Sequence, residues 1–175
     1  KILVMLPGPA REMHPMFEEQ VVPRLQEAEI FPEIDCYLQL RTAGIGESDL
    51  AEKVGHLLEG REGLIVGYCA HAGMVDLRLS SLDGEVLSQE QLTQIGEACA
   101  EAIGEDFVCF GDPTIAEVIF RELRTLGKTL AVAESCTGGL LSSSFTEIDG
   151  ISKVFHGGAV CYHNDAKVQM VDVPE

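Results

Sequence analysis

The stretch Leu130-Ala131-Val132-Ala133-Glu134-Ser135-Cys136-Thr137-Gly138-Gly139-Leu140 decides how the last third of the chain folds. Leu130, Ala131 and Val132 form an apolar run, a Ser/Thr/Gly-rich turn follows, and Leu140 opens a segment with helical spacing. That order predicts a strand over 129–133 and a helix over 138–146. A helix over 113–126 precedes them and a strand over 157–162 follows. Strands and helices alternating in this way predict the opening β-α-β part of a doubly wound α/β domain. Two strands cannot bury both sheet faces, so more chain or a partner is expected to complete the sheet.

At the carboxyl end of such a strand the next helix offers unpaired N–H groups and the positive end of its dipole, and glycines let a ligand approach the backbone. Ser135 is placed to project into that crevice. A serine hydroxyl needs a base to take its proton, and an oxyanion formed nearby needs N–H donors. Tyr162-His163-Asn164-Asp165-Ala166-Lys167 begins where the second strand finishes, so in a parallel sheet both segments share one edge. Lys167, made neutral by desolvation or a nearby cation, is one candidate base. By residue type alone a capped helix start reads equally well for the turn, and a lysine on a polar loop is more often solvated than catalytic. These residues alone justify only a phosphate- or carbonyl-binding crevice.

A boundary falls near Gly111-Asp112-Pro113. Upstream, Asp35 to Arg41 alternates as a strand, and Ser48 can cap a helix over 49–59. Strands near 64–69 and 74–82 are joined by Ala70-His71-Ala72-Gly73. Ser88 and Gln91 have capping-box spacing for a helix over 89–103. The β-α-β-β-α-β order predicts a small α+β domain. Asp76 and Arg78, two apart on one strand face, read as a solvated surface pair. The first 34 residues predict a buried strand over 1–6 and a helix over 15–28, started by Pro15 and bent or split by Pro23.

Composition narrows the function classes. In 175 residues, 46% hydrophobic and 23% charged is a globular mix, which excludes disorder. Twelve basic against 29 acidic residues leave a net charge of −17, which argues against nucleic acid as a partner. No apolar run approaches the roughly 18–20 residues of a membrane span, so a soluble, cytoplasmic chain without a membrane partner is expected. Six cysteines without a Cys-x-x-Cys pair read as thiols, and five isolated histidines predict no metal site. The chain opens on a strand-like run without methionine and stops just after another, so both ends read as cut.

Glu134-Ser135-Cys136-Thr137-Gly138-Gly139, followed at fixed distance by Tyr162-x-Asn164-x-x-Lys167, resembles the first part of the C-terminal domain of the CinA family of competence/damage-inducible proteins. In that family the domain is a nicotinamide-nucleotide amidohydrolase, which converts nicotinamide mononucleotide to nicotinate mononucleotide and ammonia in NAD salvage. The resemblance implies Ser135 as nucleophile, Lys167 as base and Tyr162 lining the reacting centre. It places Cys136, Thr137, Gly138, Gly139 and Asn164 on the substrate-binding side. It implies no cofactor for deamidation and a homodimer. Leu6 to Met13 resembles the end of the family's molybdopterin-binding-like N-terminal domain, associated in some members with metal-dependent ADP-ribose pyrophosphatase activity; a divalent metal would serve that activity.

Arg41 to Ser48 and Tyr68 to Arg78 resemble the family's KH-like middle domain. Gly44-Ile45-Gly46-Glu47 lacks the second glycine of a Gly-x-x-Gly RNA loop and carries an acid, which favours a connecting role. The resulting division is a domain remnant at 1–34, a KH-like α+β domain at 35–111, and the start of an α/β deamidase domain at 112–175. Two other functions stay open: nucleotide pyrophosphatase activity through the parent's N-terminal domain, and a non-catalytic interaction module.

Overall fold

The computed structural model describes residues 2–28, 36–81 and 86–174. The apolar run at 2–6 is not a strand: Leu3 and Met5 are 84% and 85% exposed. A strand exists through its ladder of hydrogen bonds, and among the described residues no other strand runs beside this one. The helix that follows starts earlier than Pro15. It is α1 (Ala10–Met16), capped by Pro9, whose carbonyl accepts from the N–H groups of Glu12 and Met13 at 2.9 Å. Pro15 lies inside it. A π-helical turn (Phe17–Val21) then leads into α2 (Val22–Glu27), with Pro23 in its first turn. The wider turn accommodates a ring that removes one N–H and clashes with the carbonyl four residues back.

The middle of the chain is an antiparallel sheet covered on one face by two helices. In chain order it comprises β1 (Cys36–Ala43), α3 (Glu47–Leu58), β2 (Leu64–His71), β3 (Met74–Ser81), α4 (Gln89–Ile103) and β4 (Phe107–Phe110). The strand order is β2-β3-β1-β4, the predicted α+β domain. Opposed pairs such as Leu40↔Leu77 and Leu38↔Leu79 set the register, so every second side chain faces the helices. Leu40, Leu50, Val54, Leu77, Leu79, Leu92 and Cys99 are wholly buried there. Gly96 lets α4 lie flat on β1, since a Cβ at that position would sit 2.2 Å from Leu38 Cδ2.

Helix starts follow side-chain chemistry, with one difference from expectation. The Ser88–Gln91 capping box is present, with the Gln91 N–H donating to Ser88 Oγ at 3.3 Å and the Ser88 N–H to Gln91 Oε1 at 2.9 Å. Ser48 does not cap α3. Gly46 takes the extended N-cap conformation, and Glu47 and Asp49 supply acids to the first turn, where the dipole favours them.

Asp76 also departs from its reading as a surface group, since its side chain is 1% exposed. Its carboxylate receives Arg41 Nε and Nη2 at 2.9 and 3.0 Å, and Gln39 Nε2 at 3.0 Å, across the sheet. Arg78, by contrast, is exposed. The opposed register Arg41↔Asp76 brings the longer side chain over the shorter one and seals it.

Arg41 Nη1 also donates to the carbonyls of Asp112 and Pro113, tying the sheet to the segment that enters the last part of the chain. There α5 (Ile115–Leu126) opens with a Thr114–Glu117 capping box and closes on left-handed Gly127. β5 (Leu130–Glu134) and β6 (Phe155–Val160) pair in parallel, with α6 (Leu140–Thr146) and a 3-10 turn (Ile151–Lys153) between them. Phe145 of α6 is buried against Phe155 of β6, ring centroids 5.4 Å apart. β6 begins two residues before the predicted strand and ends at Val160. α7 (Asn164–Val171) follows, so Lys167 sits on a helix rather than on a polar loop.

Among the described residues no helix is long and apolar enough to cross a membrane, and no group of three or more His, Cys, Asp or Glu could hold a metal ion.

Candidate active site at the strand tips

Parallel pairing puts the ends of β5 and β6 side by side. Glu134 is opposite Val160, and the Cys161 N–H donates to the Glu134 carbonyl at 2.7 Å. Ser135 is the next residue past β5 and Tyr162 the second past β6. The structure therefore brings the two sequence motifs to one sheet edge. Ser135 is half-buried, whereas Cys136, Thr137, Asn164 and Tyr162 are exposed, Tyr162 by 71%.

Gly138 and Gly139 both have left-handed backbones, φ 59° and 101°, where any side chain would be strained. They fold the chain back so that the Gly138 N–H reaches the Ser135 carbonyl and the Leu140 N–H the Thr137 carbonyl, each at 3.1 Å.

The start of α6 is not open for a ligand, contrary to expectation. The Glu134 carboxylate fills it: Oε2 accepts from the N–H groups of Gly139 and Leu141 at 3.1 and 2.9 Å. Oε1 accepts from the N–H of Ser142 at 2.9 Å and from its hydroxyl. Glu134 is 4% exposed, and the hydrogen bonds from Ser142, then Leu141 and Thr137, hold its carboxyl down at about 2 against the opposing effect of desolvation. Among the described residues the N–H groups of Cys136 and Thr137 donate to no protein acceptor. They are the donors left free beside Ser135.

Lys167 lies one turn into α7, and its Nζ donates to Asn164 Oδ1 at 3.2 Å. No hydrogen bond joins it to Ser135 among the described residues. A pocket of about 610 Å³ is lined by Asn164, Asp165, Lys167, Val168, Val173 and Pro174, without Ser135. A cleft of about 1020 Å³ between the antiparallel sheet and α5–α6, lined by Arg41, His71, Ile115, Glu117 and Phe145 among others, contains none of the predicted site residues.

Sequence reasoning passed over Glu134. The signal was a single carboxylate ending an otherwise apolar strand, where a buried charge must find donors.

Residues 112–175 match the CinA C-terminal domain family, and residues 39–109 match the damage-inducible protein CinA KH domain family. The chain is 36% identical to a CinA-like protein of Kosmotoga olearia over 99% of its own length and 42% of that protein's. It is 39% identical to a competence-damage inducible protein of Bacillus cereus, over 100% of this chain and 42% of the relative. The chain thus spans less than half the length of these relatives. A crystal structure of the competence/damage inducible protein CihA from Agrobacterium tumefaciens is 46% identical over 34% of this chain and 36% of that one, with a TM-score of 0.33.

Proposed function

The chain belongs to the CinA family, and on that premise we propose that the protein hydrolyses the carboxamide of nicotinamide mononucleotide, with Ser135 as nucleophile and Lys167 as base. The observation that carries the reading is the adjacency of the strand tips, with Cys161 N–H on the Glu134 carbonyl at 2.7 Å, which sets Ser135 beside the segment leading to Tyr162 and Lys167.

In the proposed reaction, neutral Lys167 takes the Ser135 proton as the oxygen attacks the carboxamide carbon. The oxyanion is met by the free N–H groups of Cys136 and Thr137. The C–N bond then breaks, Lys167 returns the proton to the leaving nitrogen, and ammonia departs. Water attacks the acyl-enzyme, freeing nicotinate mononucleotide and restoring the serine. Asn164 holds the lysine amine against the first turn of α7 between cycles, and Tyr162 lines the approach. Thr137, Gly138 and Gly139 give the substrate a close path to the backbone, with Cys136 as a small neighbour. We propose further that the protein works as a cytoplasmic homodimer. Deamidation in this scheme needs no cofactor, and no step is assigned to the metal-dependent pyrophosphatase of the family's N-terminal domain.

The test is ammonia release from nicotinamide mononucleotide by the full-length protein and its Ser135→Ala variant. Loss of kcat by a factor on the order of 10³ or more supports the assignment; unchanged turnover rejects it.

A further inference from the structure

Glu134 is chemically out of place in a strand otherwise made of Leu130, Ala131, Val132 and Ala133. It is also saturated. A carboxylate has about four acceptor sites, and donors meet it from Gly139, Leu141 and twice from Ser142, with the Thr137 side chain beside them. Gly139, Leu141 and Ser142 lie five to eight residues along the chain, so their bonds close a loop around Ser135, Cys136, Thr137 and Gly138. Ser135 follows Glu134 directly, and its backbone is held at both ends: the Glu134 carbonyl is fixed by Cys161, the residue just past β6, and the Ser135 carbonyl by Gly138.

We propose that Glu134 is the positioning residue of the amidase turn: its carboxylate occupies the start of α6 from within the protein, holds the turn closed around Ser135, and so leaves the Cys136 and Thr137 N–H groups, not those of the helix, to face the substrate. This rests on the amidohydrolase reading.

Two features of the surroundings support it. The start of α6 cannot also hold the substrate's phosphate, because an internal anion already takes its N–H groups and a second negative charge there would be repelled. The neighbouring strand is shaped to protect the arrangement. A Cβ at Gly158 would stand 2.2 Å from Ser142 Oγ and 2.9 Å from Val132 Cγ2, pushing Ser142 off the carboxylate. Glycine at 158 thus leaves room for the Ser142 hydroxyl.

Glu134→Gln tests this in the full-length protein. It keeps the size of the side chain but turns an amide N–H₂ toward backbone donors, so at least one contact becomes repulsive. A shift of the nucleophile by about 1 Å costs roughly 10²-fold. The expected result is therefore a fall in kcat of that order, with KM within about threefold of wild type, the rate constant for ammonia release in a single turnover slowed about 10²-fold over its whole amplitude, and an unchanged folded fraction by circular dichroism. A merely structural role would leave the folded molecules at the wild-type single-turnover rate and lower kcat only in proportion to the folded fraction, and that result overturns the proposal.

Wild-type kcat in Glu134→Gln also overturns it, while an inactive Ser135→Ala measured alongside would leave the amidohydrolase reading standing. An active Ser135→Ala removes that reading and the Glu134 assignment together. If Glu134→Gln does not fold, Ser142→Ala decides. It deletes the hydroxyl donor and is expected to lower kcat, and the single-turnover rate with it, about tenfold at an unchanged folded fraction; unchanged kcat refutes the proposal.

Discussion

Replacing Asp76 by asparagine leaves the Arg41 guanidinium, 12% exposed, against a neutral amide on the sheet. In the native protein Asp76 accepts two bonds from Arg41 and one from Gln39, and His71 Nε2 stands 3.3 Å away. Breaking a buried pair by removing one partner costs about 3–5 kcal/mol, most of it for stranding the remaining charge. With an m-value of about 2 kcal/mol/M, that lowers the urea midpoint of this domain by roughly 2 M. The chain has no tryptophan, so far-ultraviolet circular dichroism and the fluorescence of Tyr37 and Tyr68 on β1 and β2 report the transition.

The pair also sets a pH dependence. The Arg41 hydrogen bond holds the Asp76 carboxyl below its ordinary range. A depressed folded-state pKa contributes stability above the unfolded carboxylate value and loses it as pH falls through the folded one, so the wild type weakens below about pH 4 and Asp76→Asn loses this component of the slope. The double variant Arg41→Met/Asp76→Leu, which strands no charge, recovers most of the loss. An Asp76→Asn midpoint within about 0.5 M of wild type, a quarter of the expected shift, would refute the buried pair.

Other substitutions read other parts of the structure. Thr114→Ala removes the side-chain half of the α5 capping box and is expected to cost about 1 kcal/mol of unfolding free energy; no measurable change would mean the cap is replaced by solvent. Gly158→Ala forces Ser142 and Val132 to move, with an expected cost of about 1–3 kcal/mol in denaturant unfolding, and it should lower kcat alongside Ser142→Ala. The amide resonances of Leu141 and Ser142 report the Glu134 carboxylate. Because its pKa is held at about 2, the stability it contributes persists above the ordinary glutamate range and is lost only as pH falls through the folded value. Those resonances should not titrate between pH 6 and about 4, and a midpoint near an ordinary glutamate value would contradict the bonding described.

Local chemistry explains which parts of the fold were legible. Ser88 and Gln91 announce α4 because a capping box is a contact between residues three apart, and the alternation in β1 and β3 shows because one face is sealed by two helices. What depends on distant partners did not show. Residues 2–6 have the apolar content of a strand but no neighbouring strand among the described residues. Asp76 looks like a surface acid until β1 brings Arg41 across from it. At the site, both motifs were legible as strand ends. The filling of the α6 start by Glu134 was not, since it requires the turn to curl back by five to eight residues.

The central claim is that Ser135 bears the acyl group during turnover, and rapid quenching of the full-length protein with nicotinamide mononucleotide, followed by peptide mass mapping, tests it directly. A nucleotide acyl adduct is expected on the peptide containing Ser135, localised to that residue and formed within the first turnover. Steady ammonia release with no covalent adduct, or an adduct on the adjacent Cys136, would contradict it.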